Sequence, residues 1–120
     1  MKTIIRSAFQ GDIMIRRVKA VAKSFIKQKR NGRLVIAHSE TGHHHAIDDM
    51  NVSYFTNPQN PLICYLKLED GCGSGDGINV VHHRAWDTHE TLHLLGQPGD
   101  VWEVRRQREY TPEGWRKVMD

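Results

Sequence analysis

Residues that favour turns recur at short intervals along this chain, and this punctuation constrains its fold most strongly. Glycine, proline, asparagine and aspartate each favour turns for a backbone reason of their own. They cluster around positions 10–12, 31–32, 41–42, 57–61, 70–77, 96–99 and 112–114. Most of the intervening stretches are too short for a long helix but suit strands. The pattern therefore predicts a fold made mainly of short β-strands.

Six runs between these turns have the composition of strands, being rich in branched and aromatic residues. They cover residues 12–18, 33–38, 62–68, 78–83, 88–94 and 101–107. We predict an all-β or mainly β fold of six to eight strands, a small barrel or sandwich that forms a single domain over residues 1–120. The central apolar residues of the runs predict the core: Ile13, Ile36, Leu66, Val80, Trp102 and Val104.

One segment, residues 18–30, has a different periodicity. Val18, Val21, Ala22, Phe25 and Ile26 follow the three- and four-residue spacing of one helical face, and lysines occupy other positions. Asn31-Gly32 is a plausible helix end. The segment predicts a short amphipathic helix with a basic outer face, packed on the sheet.

Positive charge is concentrated in the first quarter of the chain. Residues 1–33 hold ten basic side chains and one acidic side chain, whereas the remaining 87 residues hold seven and thirteen. Such a split can steer a polyanion or an acidic protein face to one side of the molecule, although a solvated basic surface is the alternative. The candidate partner-binding residues are Arg16, Arg17, Lys19, Lys23, Lys27, Lys29 and Arg30.

No apolar run approaches the ~18 residues of a membrane span, and Arg6 interrupts the only apolar stretch near the start. We therefore expect a cytoplasmic protein without a membrane partner. Cys64 and Cys72 lack the spacing of a redox or zinc pair, so we expect a buried strand thiol and a loop thiol.

Histidine is the unusual residue in the composition. All eight histidines lie between positions 38 and 93: His38, His43, His44, His45, His82, His83, His89 and His93. In a strand, alternation places His43 and His45 on one face and His44 on the other. Two imidazoles on one strand face are suitable ligands for a first-row transition metal.

Residues 89–93 match the H-E-x-x-H pattern of zinc peptidases. That chemistry requires a helix, but the turn at 96–99 leaves too little room for one. Taken as a strand, the segment places His89 and His93 on one face. We therefore predict one metal site formed by His43, His45, His89, Glu90 and His93, holding a divalent ion such as Zn, Ni, Fe or Mn.

Residues 37–47 resemble a segment of small uncharacterised phage and prophage proteins. In that group a Gly-Asp-Ile-Met segment precedes a T-G-H-x-H turn, an H-E pair, a Pro-Gly turn and a V-x-x-Q-R-E-Y strand. These motifs occur here at 11–14, 41–45, 89–90, 98–99 and 104–110. The resemblance implies a phage-like origin and a compact β-fold, but no reaction.

A weaker similarity is to cupins, which carry an H-x-H motif, an acid, a P-x-G turn and a further histidine. Here His43 and His45 precede Asp48 or Asp49, and Pro98-Gly99 follows. Val101 and Trp102 stand where the last histidine is expected. The similarity implies cupin-like geometry only.

Two functional hypotheses follow. The first is a metal-binding β-protein whose catalytic residues, if it has any, are unknown. The second is a non-enzymatic protein that binds a host protein or nucleoprotein, a nucleic acid or a nucleotide signal through its basic quarter. A homodimer is expected, because small β-domains often cover their edge strands in that way.

Overall fold

The chain folds into thirteen described strands, eleven of which form two sheets. The computed structural model describes the backbone of residues 2–38, 44–72, 77–83, 88–106, 108–111 and 114–117, and the side chains of 2–37, 44–72, 77–82 and 91–106. In chain order the strands are β1 (Lys2–Ile4), β2 (Ser7–Gln10), β3 (Ile13–Val18), β4 (Ile26–Gln28), β5 (Leu34–His38), β6 (His44–Ile47), β7 (Val52–Thr56), β8 (Ile63–Leu68), β9 (Gly77–His83), β10 (Thr88–Leu95), β11 (Val101–Arg106), β12 (Arg108–Thr111) and β13 (Gly114–Lys117).

The two main sheets pack face to face as a sandwich. The five-stranded sheet has the order β1-β10-β9-β6-β5, and the six-stranded sheet has the order β2-β3-β11-β8-β7-β4. Strands β12 and β13 form a separate two-stranded ladder. Only β1, at one edge of the five-stranded sheet, runs parallel to its neighbour β10. The prediction of an all-β sandwich is confirmed.

Successive hairpins alternate between the sheets. Hairpin β5–β6 lies in the five-stranded sheet, β7–β8 in the six-stranded sheet, and β9–β10 in the five-stranded sheet again, before β11 returns to the other. Each hairpin buries one face against the opposite sheet, as alternating side chains require. Because of this alternation, the ends of strands that are distant in sequence lie close together at one end of the sandwich.

The core between the sheets is apolar and contains every residue predicted for it. Ile13, Leu66, Val80 and Trp102 are fully buried, and Ile36 and Val104 are nearly so. Both cysteines are free; Cys64 is buried in β8, as expected, and the loop residue Cys72 is buried as well. The six predicted strands correspond to β3, β5, β8, β9, β10 and β11, with small differences at their ends.

The predicted helix over residues 18–30 is wrong. Val18 ends β3, where it pairs with Val101, and Ile26 begins β4, which pairs with β7. Between them the chain turns, with the Phe25 amide donating to the Ala22 carbonyl. The apolar spacing has another cause: the Phe25 ring packs edge-on against Tyr65 of the six-stranded sheet, with centroids 4.8 Å apart.

The predicted number of strands was too low because short strands carry little sequence signal. Strands β1, β2 and β4 contain three or four residues each, and they pair only at or near sheet edges. Within the described part of the chain no helix is present, so none is available to span a membrane.

Candidate functional site

Six of the eight histidines lie in two neighbouring rows across the five-stranded sheet. The inner row is formed by residues whose backbones pair in succession: Ala37, His45, His82 and His89. The outer row, one residue nearer the strand ends, is formed by His38, His44, His83 and Thr88. We call the region that contains both rows the histidine end.

The inner row belongs to the face that packs against the other sheet. The His45 and His82 side chains are fully buried, and their rings stack with centroids 4.0 Å apart and planes 12° apart. Cross-strand pairing explains this contact, because paired residues on adjacent antiparallel strands share a face. Successive residues alternate, so the outer row belongs to the opposite face of the sheet.

His45 joins the two sheets through hydrogen bonds at both ring nitrogens. Its Nδ1 lies 3.0 Å from Gln10 Oε1, and its Nε2 lies 2.9 Å from Asp12 Oδ1. Gln10 Nε2 donates to the Val80 carbonyl at 3.0 Å, which turns Oε1 toward the ring. We call Gln10, Asp12, His45 and His82 the inner cluster.

A tight turn delivers the two partners from the six-stranded sheet. Gln10 pairs with Ile13 across a two-residue hairpin loop, and Gly11 in that loop has φ of +58°. A positive φ at the first loop position is the geometry of a type II′ turn, which glycine adopts without strain. The turn places Gln10 and Asp12 beneath β6, where both are almost completely buried.

Both ring nitrogens of His45 face hydrogen-bond acceptors. Gln10 Oε1 only accepts, so its contact requires a hydrogen on Nδ1, and Nε2 lies beside an oxygen of the Asp12 carboxyl group. His45 is fully buried, which keeps this pair from exchanging protons directly with solvent. The cluster is therefore suited to joining the sheets rather than to acid–base catalysis.

The residues of the predicted metal site occupy different places. His43 lies outside the described residues, as does the side chain of Glu90. His45 is in the inner row and His89 takes the last position of that row, but His93 pairs with Asn79 further along β9. His93 Nδ1 lies 2.7 Å from Asn79 Oδ1.

A bulge separates His89 from His93. Between His89 and Leu92 the pairing with β9 shifts by one residue, so His89 pairs with His82 and Leu92 pairs with Val80. Both partners belong to the buried face, whereas His93 belongs to the other. The expectation that His89 and His93 share a face is therefore wrong, because a bulge interrupts the alternation.

The sequence also gave no indication of the role of His82. The predicted metal site combines residues 43–45 with the strand at 89–94, but β9 lies between β6 and β10. The His82-His83 doublet at the end of a predicted strand was the available signal, and only the sheet order reveals its importance. Among the side chains that the structure describes, no three of His, Cys, Asp or Glu come close enough to hold a metal together.

Three of the seven candidate partner-binding residues make contacts within the fold. Arg17 donates to the Leu95 carbonyl and covers the Trp102 ring at 5.1 Å. Arg30 donates to the carbonyls of Asp49 and Val52, which ties two loops together. Burial lowers the pKa of Arg30, although Asp49 and Asp48 oppose this shift.

Arg16 belongs to a second polar group, on the outer face of the six-stranded sheet. Glu103 is buried there, and it accepts hydrogen bonds from Arg16 Nε at 2.9 Å, from Arg105 Nε, and from the Tyr65 hydroxyl at 3.0 Å. Burial alone would raise the pKa of Glu103, but these hydrogen bonds outweigh it and hold the pKa below its ordinary value. We call Arg16, Tyr65, Glu103 and Arg105 the outer cluster.

The four lysines of the candidate set are exposed: Lys19, Lys23, Lys27 and Lys29. They lie on the segment that leads from β3 through β4, and Ile26 between them is 66% exposed. The basic surface in the described part of this segment is therefore made of lysines rather than arginines.

A cavity of about 220 Å³ also opens at the histidine end, between β5 of one sheet and β7, β8 and β11 of the other. Tyr54, Cys64 and Arg106 contribute to its wall. Burial raises the pKa of Cys64 to about 12 and also raises the pKa of Tyr54. The Cys64 thiol is therefore protonated at neutral pH, which excludes it as an activated nucleophile.

Comparisons with known proteins identify a family but no activity. No curated protein and no solved structure matches the chain. A family model matches residues 9–107, a range that includes both sheets apart from β1 and part of β2. This match lends no support to the phage or cupin resemblance. The chain thus belongs to the family described as Domain of unknown function (DUF8820).

Proposed function

We propose that the protein binds a divalent transition metal through the outer histidine row, with His38, His44 and His83 as ligands. The observation that carries this proposal is the register: His38 pairs with His44, and His44 pairs with His83. Three imidazoles on three adjacent strands form a recognisable ligand set for zinc and related ions.

The backbone spacing is compatible with a shared ion. Adjacent strands lie about 4.8 Å apart, so the two outer members of the row are separated by roughly 10 Å. Imidazole side chains that extend from such positions can converge on an ion at ~2.0–2.1 Å. Three histidines leave one position of a tetrahedral ion for water or another ligand.

The inner cluster supports this assignment because its hydrogen bonds make His45 unavailable as a metal ligand. Both ring nitrogens of His45 already contact Gln10 and Asp12, so binding a metal would require breaking a buried hydrogen bond. The same contacts anchor β6, and with it the backbone of the neighbouring His44. The inner cluster is thus a structural support beneath the proposed site.

Metal titration of the untagged protein tests the proposal. Co²⁺ or Zn²⁺ should bind with one-to-one stoichiometry, and His44→Ala should weaken binding by more than about 100-fold, since even loss of a supporting residue costs 10–100-fold. Binding should be weaker at pH 5.5 than at pH 8, because the ligand imidazoles must be deprotonated.

Two further variants identify the row. His93→Ala removes a histidine that pairs with Asn79, outside both rows, and should leave the affinity unchanged. His89→Ala removes the last member of the inner row. If His89→Ala or His93→Ala abolished metal binding while His44→Ala left it unchanged, the metal would belong to the set first predicted from the sequence, and the outer row would be excluded.

A second candidate function is binding of a polyanion by the four exposed lysines, for which their accessibility is the supporting observation. Lys27 lies on β4, which is an edge strand. Binding to a nucleic acid or an acidic protein would then weaken steeply with salt. Replacing Lys23 and Lys27 by Gln should reduce both the affinity and its salt dependence in an electrophoretic titration, and salt-independent binding would contradict this candidate.

A further inference from the structure

The cavity at the histidine end has a mainly apolar wall that carries a positive charge. Val35, Ile36 and Ala37 of β5 form one side, and residues of β7, β8 and β11 form the other. Leu62 and Val104 extend the apolar surface, whereas Thr56 and Asn57 add neutral polar groups. Among the described residues that line it, none carries a carboxylate, and the basic one is Arg106.

Arg106 lines this cavity, and two donors of its guanidinium are unused within the described residues. Its Nε and Nη2 atoms are buried, and neither has a hydrogen-bond partner within the described part of the chain. These two N–H groups form one edge of the planar guanidinium and point in the same direction. A carboxylate bridges such an edge with two parallel hydrogen bonds.

Within the described part of the chain, the cavity wall supplies no counterion for the charge of Arg106. Tyr54 and Cys64 are the other ionisable groups of the wall, and burial holds both in their neutral forms at neutral pH. A buried donor without a hydrogen-bond partner costs free energy of folding. A ligand that supplies the acceptor removes this cost, which explains why such a donor is present. The cavity therefore favours an anion.

We propose that this cavity binds a small carboxylate that carries a short apolar tail. The carboxylate accepts hydrogen bonds from Arg106 Nε and Nη2, and the tail lies against Val35, Ile36 and Leu62. A volume of about 220 Å³ is below the usual range for drug-sized ligands, so the ligand is a small acid. This site is separate from the proposed metal site, which lies on the other face of the five-stranded sheet.

Titration with butyrate, followed by amide and arginine Nε–H signals in NMR spectra, tests the proposal. Butyrate should saturate the protein and shift the signals of Arg106 and the cavity wall. Butyramide has the same shape without the charge, and it should bind at least about tenfold more weakly. Inorganic phosphate lacks the apolar tail and should also bind more weakly.

Two matched variants separate the site from general charge effects. Arg106→Lys keeps the charge but loses the pair of parallel N–H donors that binds a carboxylate bidentately. Butyrate affinity should therefore fall by about tenfold or more. Arg105→Lys makes the same change at the next residue, whose side chain contacts Glu103 on the outer face, and should leave butyrate binding unchanged. A folded Arg106→Lys protein that binds butyrate normally would overturn the proposal. Absence of saturable binding, or equal binding of butyramide or phosphate, would also overturn it.

Discussion

The inner and outer clusters place similar polar chemistry in two different settings. The inner cluster lies between the sheets, where Asp12, His45 and His82 are all almost completely removed from solvent. The outer cluster lies on one face of a single sheet, and the side chains of Arg16 and Arg105 are 46% and 45% exposed. Of these two clusters, the inner one connects the two layers of the sandwich, whereas the outer one lies within a single sheet.

This difference determines what each cluster contributes to stability. If an outer-cluster bond breaks, the exposed arginines regain water, so the loss is limited. If the Asp12–His45 bond breaks, the remaining group stays buried without compensation. The inner cluster should therefore behave as an essential connection between the sheets, and the outer cluster as a local reinforcement of one sheet.

The largest expected effect is that of Asp12→Ala. Removal of the carboxylate leaves His45 Nε2 buried without this acceptor, and the free energy of unfolding should fall by about 3–5 kcal/mol. Urea denaturation measures this loss. Asp48→Ala is the control, because Asp48 pairs with Arg33 on the surface, and it should cost less than about 1 kcal/mol. Equal losses for the two variants would show that burial does not distinguish these pairs.

A smaller effect is expected for Glu103→Gln. Glutamine retains the shape and one acceptor oxygen but loses the charge that Arg16 and Arg105 share. The loss should be about 1–2 kcal/mol, in the range of hydrogen bonds to charged groups, and the same denaturation experiment measures it. A loss as large as that of Asp12→Ala would contradict the proposed difference between the clusters.

The smallest expected effect concerns how steeply the free energy of unfolding falls at acid pH. The pKa of Glu103 is lower in the folded protein than in the unfolded chain, so its contribution is complete above the unfolded value of about 4.3. The contribution is lost as pH falls from that value through the folded pKa. Unfolding measured between pH 7 and pH 3 should therefore show a shallower decline for Glu103→Gln than for the natural protein. Parallel curves would exclude this linkage.

Much of the fold was predictable from local pattern. Strands such as β8 and β11 contain branched and aromatic residues next to turn residues, so their positions and their core residues Leu66, Trp102 and Val104 follow from composition. The predicted helix failed because Phe25 and Ile26 follow a helical spacing by coincidence. One packs on Tyr65, while the other lies exposed on an edge strand.

The histidine end was predictable only in part. Clustering of histidines in the middle of the chain was evident, and alternation correctly separates buried His45 from half-buried His44. The partners of His45 were not evident, since Gln10 and Asp12 lie more than thirty residues away in a polar turn. A polar turn is ordinarily interpreted as solvent-exposed, and nothing local indicates that this one is covered by another sheet.

By itself, the sequence determined that this protein is built from short strands, where six of the thirteen described strands lie, and which apolar residues those six bury. These properties depend on neighbours in the chain, through turn chemistry and two-residue alternation. Only the tertiary structure decided that β9 separates β6 from β10, which histidines share a row, and that Arg106 meets a cavity. Those properties depend on sheet order and on a single bulge, and a one-residue change in register moves a side chain to the opposite face.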